Sequence, residues 1–417
     1  MYCKSLVDVV NSGLCISCGT CVSINSDEHH MVEQKGILLP QNPSKMKFQD
    51  IGYSLCPGKG YEIIKMGAEL FKVNSSYDVE LGYYLSHLAI RYSDSEFKKN
   101  ASSGAIMTGL ANYCLKNKIV DGVVTTKFAY TKNGPITKSF IALNEKELIS
   151  SQGSKYLPVP LFEILPEILD FSGKLLLIGT PCQIASLRLL QRDNSDLKNK
   201  IIFTIGNFCG GFRDYRETHQ LASLSGINFN EMKSFRYRGN GQPGSMLMED
   251  QEKAIELKYP EYSRLTGLPK YKRCRLCVDA TAELADISCG DAWLPRFIES
   301  GNAWSLVIIR NPLVKRYLDE MKDLNLVATE PISLEELKLS QKDNLNSKKR
   351  RQNTRMKLYK TIGAYIPQFD GGFRDTNTSV FTEIRVLLQT HLFHVLERLG
   401  IYLWFARLIK RAPHEEI

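Results

Sequence analysis

The chain has 417 residues, 43% hydrophobic and 24% charged, with a formal net charge of +9 at pH 7. That length accommodates two or three domains with a buried core, and the composition excludes disordered, collagen-like and wholly membrane-embedded chains. No apolar run approaches the roughly 20 residues that span a bilayer, and MYCKSLVDVV lacks the basic-then-apolar order of a secretory leader, so a cytoplasmic protein is expected, its 11 cysteines serving as thiols or metal ligands rather than disulfides.

Residues 1–70 read as a small cluster domain. GLCISCGTC places Cys15, Cys18 and Cys21 at a strict spacing of three, and SLCPGKG adds Cys56-Pro57. Zinc sites normally use two separated Cys-x2-Cys pairs around one tetrahedral ion. Three thiolates at spacing three suit three corners of a 4Fe–4S cube, with a Cys-Pro closing the fourth. This is one half of a ferredoxin, with Cys15, Cys18, Cys21 and Cys56 as ligands. A structural zinc site or spare thiols remain the alternatives.

From about residue 85 to 330, apolar runs alternate with helical patterns. LSHLAIRY, DGVVTTKF, KLLLIG, IIFTIG and WSLVIIR read as buried strands, and NGPITKSFIAL as one strand of an inserted hairpin. The expected class is α/β of a mixed kind: a small ferredoxin-like domain on a larger α/β core with a helical tail. KKNASSGAIMTGLANYCLKNKI is a Ser/Gly loop entering an amphipathic helix. Ser102 or Ser103 can cap that helix, and its first N–H groups can hold a phosphate, although an ordinary capped helix has the same pattern. It is no G-x-G-x-x-G fingerprint. SQGSKYLP follows: Gly153 allows a tight backbone, Lys155 can offset negative charge and Tyr156 can stack. Alone, this is an ordinary loop.

Cys182 (GTPCQIASL) and Cys209 (IGNFCGG) each follow a strand-like run, where α/β folds place ligands. With Cys274 and Cys277 of RCRLC they supply four thiolates for a second 4Fe–4S cluster or a zinc ion, unless all are unrelated core cysteines. Cys3 and Cys114 read as small buried residues. FRYRGNGQPGSM reads as a hairpin turn or as a phosphate- or carboxylate-binding loop through Arg236 and Arg238. Asp291 is placed either to steer a ligand N–H or to cap a helix.

Residues 331–375, including NSKKRRQNTRMK, read as a basic arm or linker with a solvated charged face; an acidic electron carrier, substrate or anionic lipid could dock there. No nucleic-acid motif accompanies the charge. Residues 376–417 read as an amphipathic helix region. Phe381, Ile384, Leu388, Leu392, Val395, Leu399, Tyr402 and Phe405 recur at helical spacing, among Arg385, Arg398, Arg407, Lys410 and Arg411. Such a helix docks on its own core, on a second copy, or on the inner face of a membrane. Gly400 is placed to split it.

Taken in order, CISCGTC, CP, NASSGAIMTGLANYC, QGSKYLP, GTPCQIASL, NFCGG, YRGNGQPG, RCRLCVD and ADISCGDAW resemble the coenzyme F420 hydrogenase/dehydrogenase beta-subunit family over roughly residues 10 to 330. That family includes a plant 7-hydroxymethyl chlorophyll reductase and bacterial members from polysaccharide gene clusters. The resemblance implies an iron–sulfur flavoprotein oxidoreductase with FAD and two 4Fe–4S clusters. Cys15, Cys18, Cys21 and Cys56 would hold the first cluster, and Cys182, Cys209, Cys274 and Cys277 the second. It implies FAD contacts from Ser102, Ser103, Gly104 and Thr108, from Gly153, Ser154, Lys155 and Tyr156, and from Arg236 and Asp291. For Cys289 in ISCGDAW it implies a bystander near the second set or, less simply, a further ligand. FCGG departs from the Cys-His-Gly common among bacterial relatives, which puts a local proton function in doubt. Electrons would pass between a ferredoxin-type carrier, the clusters and FAD, which exchanges hydride with an organic substrate, sugar-linked or not, or with coenzyme F420. Polysaccharide biosynthesis is one implied setting. No catalytic residue is singled out. The rival expectations are an electron-transfer subunit that docks to a larger enzyme, and a zinc-stabilised binding protein.

Overall fold

The computed structural model describes residues 1–25, 29–265, 270–375 and 378–401. Its frame is one mixed sheet of eight strands: β1 (Ser86–Tyr92), β2 (Gly122–Thr131), β3 (Gly134–Ala142), β4 (Leu175–Gly179), β5 (Ile201–Asn207), β6 (Ile287–Asp291), β7 (Ser305–Ile309) and β8 (Val327–Glu330). Their order across the sheet is β8-β1-β7-β6-β5-β4-β2-β3. Strands β2, β4, β5 and β6 are parallel neighbours, and the strands outside them pair antiparallel.

The parallel strands are continuously apolar because both of their faces are covered. Leu176, Phe203 and Ile205 pack towards helices α1 (Ile106–Lys116) and α3 (Pro312–Asp323). Leu175 and Leu177, one residue out of phase, pack towards α2 (Pro181–Arg192) and the N-terminal residues Cys18 and Tyr61. Helix α2 begins sharply after β4. Pro181 supplies a pre-set first turn, and the Gln183 side chain accepts from the Thr180 N–H at 2.9 Å. The expected strands thus all form, and residues 134–142 form a hairpin with β2 at the sheet edge.

The first 71 residues fold as short helices around a hairpin, Met31–Gln34 with Ile37–Pro40. They are tied to the far end of the chain: Gly60–Tyr61 pairs in parallel with Gln368–Phe369, and Tyr2 bridges Ile366. A three-stranded antiparallel sheet, Ser234–Gly239, Ser245–Glu249 and Ala254–Lys258, packs beside the main one, and the Gly-rich stretch is its hairpin turn.

Residues 331–375 differ from the expected arm or linker. They fold as helices against the core, including a π-helix at Asn346–Arg350 and helix α4 (Gln352–Thr361). Lys348, Lys349 and Arg355 are buried. Three carboxylates receive this basic run: Glu80 takes Arg350, Arg374 and Lys338, Glu283 takes Lys349, and Glu383 takes Arg351 and Arg355. The carboxylates are distant in sequence, so the run itself carries no sign of burial.

Helix α5 (Val380–Arg398) docks on its own chain, but not through the apolar stripe. Glu383 and Phe393 are buried, Thr390 accepts from Arg275 and Glu397 pairs with Arg216. Phe381, Leu388, Leu392 and Leu399 stay exposed. The buried Glu383–arginine pairs decide which face turns inward. His394 pairs with Glu397, and the helix stops before Gly400, which sits at φ +69°. Tyr402, Phe405, Arg407, Lys410 and Arg411 lie outside the described residues. Among the described residues no helix is long and apolar enough to cross a membrane.

Candidate functional site

Cys15, Cys18 and Cys21 lie on one tight turn. Gly19 makes it: its φ is +85°, and a Cβ there would stand 2.8 Å from the Glu163 backbone nitrogen. All three sulfurs and Cys56 line one enclosed cavity. The thiols are buried. Burial, then the neighbouring sulfurs, pushes Cys15 and Cys21 far up, and Cys56 up to about 11. Ionising Cys15, Cys21 and Cys56 is therefore unfavourable unless a positive charge faces them.

A second thiol set gathers from three places. Cys182 opens α2 at the end of β4. Cys209 follows β5, its N–H held by the Ala280 carbonyl at 3.0 Å. Cys274 and Cys277 come from the short helix Lys272–Arg275 and its end. Cys182 is pushed up by burial and by Cys209, Cys274 and Cys277; Cys274 rises to about 11 by burial and Cys209. These thiols therefore share one locus, although the segments are remote in sequence. Among the described residues no three Cys, His, Asp or Glu side chains converge on one ion-sized position.

Two cations that the sequence reading did not single out border this set. Arg273 is 1% exposed and donates to the carbonyls of Pro57 at 2.7 Å and Gly58 at 2.9 Å, beside Cys56. Its charge faces Cys277, Cys182 and Cys274. Lys348 donates to the Asp279 carbonyl at 2.8 Å and reaches the Cys277 sulfur at 3.6 Å. Arg273 opens the RCRLC motif and Lys348 lies in the NSKKRR run, but nothing in either pattern shows that the cation turns towards the thiols.

The main cavity, ≈ 220 Å³, opens at the carboxyl ends of β4, β5 and β6. Ser102, Ser103, Thr108, Gly153, Ser154, Lys155 and Asp291 line it. Thr180 and Asn207 also line it, from the strand ends that carry Cys182 and Cys209; the strand-end rule could have found both. Thr125, Thr126 and Cys289 complete much of the wall. Burial pushes the Cys289 thiol up, Arg310 opposes, and no other thiol acts on it.

Gly104, Tyr156 and Arg236 stand behind the wall. Gly104 is wedged against β1 and β7, Tyr156 packs edge-on to Tyr237 at 5.2 Å, and Arg236 donates to Asn100 at 3.3 Å. Arg238 makes the site contacts instead: it pairs with Asp291 at 2.5 Å and donates to the Ser102 carbonyl at 3.1 Å. Asp291 is therefore no helix cap; Leu294 precedes the next helix. Nor do Ser102 and Ser103 cap α1. Ala105, at φ +59°, holds that position, while the hydroxyls donate to Arg238 and Trp304 carbonyls at 3.0 and 2.9 Å. They brace the loop across the sheet. Lys155 donates to the carbonyls of Ser151, Gln152 and Gly153. Burial holds its ammonium down to about 7.

Two family models match the chain: coenzyme F420 hydrogenase/dehydrogenase beta subunit N-term over residues 88–166, and the C terminus of the same subunit over residues 172–335. The chain is 26% identical over 257 residues to a coenzyme F420 hydrogenase subunit beta of Methanococcus voltae, covering 60% of this chain and 86% of that one. It is 24% identical over 379 residues to a coenzyme F420-dependent sulfite reductase of Methanocaldococcus jannaschii, covering 87% of this chain and 54% of that one. In fold it is similar to a chain from the F420-reducing NiFe hydrogenase complex of Methanosarcina barkeri. The TM-score is 0.54 and the identity 22%, over 72% of this chain and 99% of that one.

Proposed function

The chain belongs to the coenzyme F420 hydrogenase/dehydrogenase beta-subunit family, and from that premise we propose that it relays electrons between a one-electron carrier and a flavin site. The relatives are oxidoreductases and oxidoreductase subunits, which supports an oxidoreductase with an electron-transfer role. One observation supports the relay: the two thiol sets and the cavity are contiguous. Arg273 links the Cys56-Pro57-Gly58 loop to the second set, and the strand ends bearing Cys182 and Cys209 also line the cavity.

When bound, 4Fe–4S clusters pass single electrons and FAD exchanges two as hydride. Cys15, Cys18, Cys21 and Cys56 would hold the first cluster, and Cys182, Cys209, Cys274 and Cys277 the second. Ser102, Ser103, Thr108 and Ser154, whose hydroxyl protons are already donated within the protein, would offer FAD acceptor oxygens, and Gly153 a close backbone. Lys155 offers a positive charge that an anionic ligand would stabilise. Asp291, held by Arg238, offers an acceptor at the opposite wall. The electron donor is a ferredoxin-type carrier or a partner subunit; the acceptor is an organic substrate or coenzyme F420, in either direction.

That several relatives are named as subunits favours a second reading: the chain docks into a larger enzyme and has no substrate of its own. The exposed Phe381, Leu388, Leu392 and Leu399 face of α5 is then where another subunit would sit. The test is anaerobic purification, with iron, sulfide, zinc and flavin measured per chain and reduction followed in the visible spectrum. About eight irons and one flavin support the relay. A colourless protein with zinc and no flavin overturns it. Turnover of coenzyme F420 with an artificial one-electron donor by the isolated chain separates the two readings.

A further inference from the structure

The basic run at 346–350 is neither solvated nor uniformly ion-paired. Its π-helix widens the backbone so that two consecutive lysines turn inward. Lys349 goes to the Glu283 carboxylate and the Gly372 carbonyl. Lys348 goes elsewhere. Its Nζ lies 2.8 Å from the Asp279 carbonyl oxygen and 3.6 Å from the Cys277 sulfur, and the side chain is 2% exposed. Among the described residues no carboxylate oxygen comes within ion-pair distance of it. Cys209, Cys274 and, beyond ion-pair distance, the buried Asp279 carboxylate also bear on its charge.

A buried ammonium without a counter-ion is costly, so such a charge persists where an anion faces it. The nearest such group is the Cys277 sulfur at 3.6 Å, with the rest of the second thiol set and the Asp279 carboxylate farther off. We propose that Lys348 is a positioning charge for that centre, setting its reduction potential by holding a fixed cation against the Cys277 thiolate. The inference rests on the reading that this set holds a 4Fe–4S cluster. It goes beyond that reading, because Lys348 comes from a segment outside both matched spans.

The electrostatics give the sign. Reduction places one electron on the centre and breaks no bond. A cation beside a ligand sulfur stabilises the reduced, more negative form over the oxidised one. Removing the charge makes reduction harder. At such a separation, away from water, the reduction equilibrium should fall at least about tenfold, or about 59 mV for one electron.

The test uses the full chain, purified without oxygen and loaded with iron and sulfide. Wild type, K348Q, K348R and K349Q are titrated by potential, and each centre is followed by its electron paramagnetic resonance signal. K348Q should lower the potential of one centre by the stated amount and leave the other in place. K348R should stay near wild type, and K349Q should shift much less. If K348Q does not fold, K348M keeps the aliphatic stem and takes its place. Loss of iron from the neutral variants with retention in K348R also supports the inference, since the two differ in charge. Unshifted potentials in a fully loaded K348Q overturn it and leave the two-cluster reading standing. A wild-type chain that takes up only one cluster, or none, overturns both.

Discussion

Gly104→Ala tests whether the Ser/Gly loop depends on close approach to the sheet. A Cβ at Gly104 would stand 2.7 Å from the Ile90 carbonyl oxygen and 2.7 Å from the Ser305 nitrogen, both backbone atoms of the central sheet. Ordinary contact begins near 3.4 Å, so the loop must retreat by about 0.7 Å. The same residue donates to Ser305 Oγ at 3.0 Å and accepts from the Tyr92 N–H at 2.8 Å. Overpacking costs about 1–3 kcal/mol and each weakened hydrogen bond about 1 kcal/mol. We expect a loss of about 3 kcal/mol in urea unfolding. Because Ser102 and Ser103 move with the loop, flavin affinity should fall at least about tenfold, while iron content stays near wild type. A variant within about 0.5 kcal/mol of wild type with unchanged flavin affinity would refute the reasoning.

Cys182→Ser should lower iron from about eight to about four per chain, whereas Cys289→Ser should leave it unchanged; equal losses would put Cys289 among the ligands. Lys155 is held near 7 by burial, well below its ordinary 10.5, so between those values the folded chain carries fewer protons than the unfolded one. The stability of the cofactor-free chain should therefore rise with pH across that window, and Lys155→Met should flatten the rise. Flavin binding at pH 8 should take up a proton in wild type but not in Lys155→Met, read from the buffer dependence of the binding enthalpy. Burial alone would raise the Glu383 carboxyl, but Arg355 and Arg351 outweigh it and hold it low. Glu383→Gln should cost about 3 kcal/mol, since it leaves Arg355 buried without its counter-charge. In wild type the same contribution disappears as pH falls below the ordinary carboxyl value of 4.5, and a flat acid profile would contradict the pairing.

The first thiol set was legible because its grammar is local. A three-residue spacing, a glycine and a Cys-Pro describe one turn, whatever the rest of the chain does. The central strands were legible for a related reason: runs such as LLLI and IIFTI can be buried on both faces only in a covered parallel sheet. The cavity was half legible. Strand ends, hydroxyls and a lysine pointed to loops that line it, but which side chains face inward depends on hydrogen bonds across more than a hundred residues. Hence Ser102 and Ser103 brace the sheet rather than cap α1, and Arg238 rather than Arg236 holds Asp291.

Sequence by itself determined that the N-terminal cysteines share one turn and that the core is α/β, because spacing and hydrophobic period act within one element. Tertiary structure decided the rest. The sheet brings Cys182 and Cys209 to adjacent strand ends and packs Cys274 and Cys277 against them. It also decided that Lys348 and Lys349 are buried and that α5 turns inward the face bearing Glu383 and Phe393 rather than the apolar stripe. A lysine has the same local sequence whether water or a sulfur faces it. Only the distant groups that fold against it, Asp279 and Cys277 for Lys348 and Glu283 for Lys349, settle which.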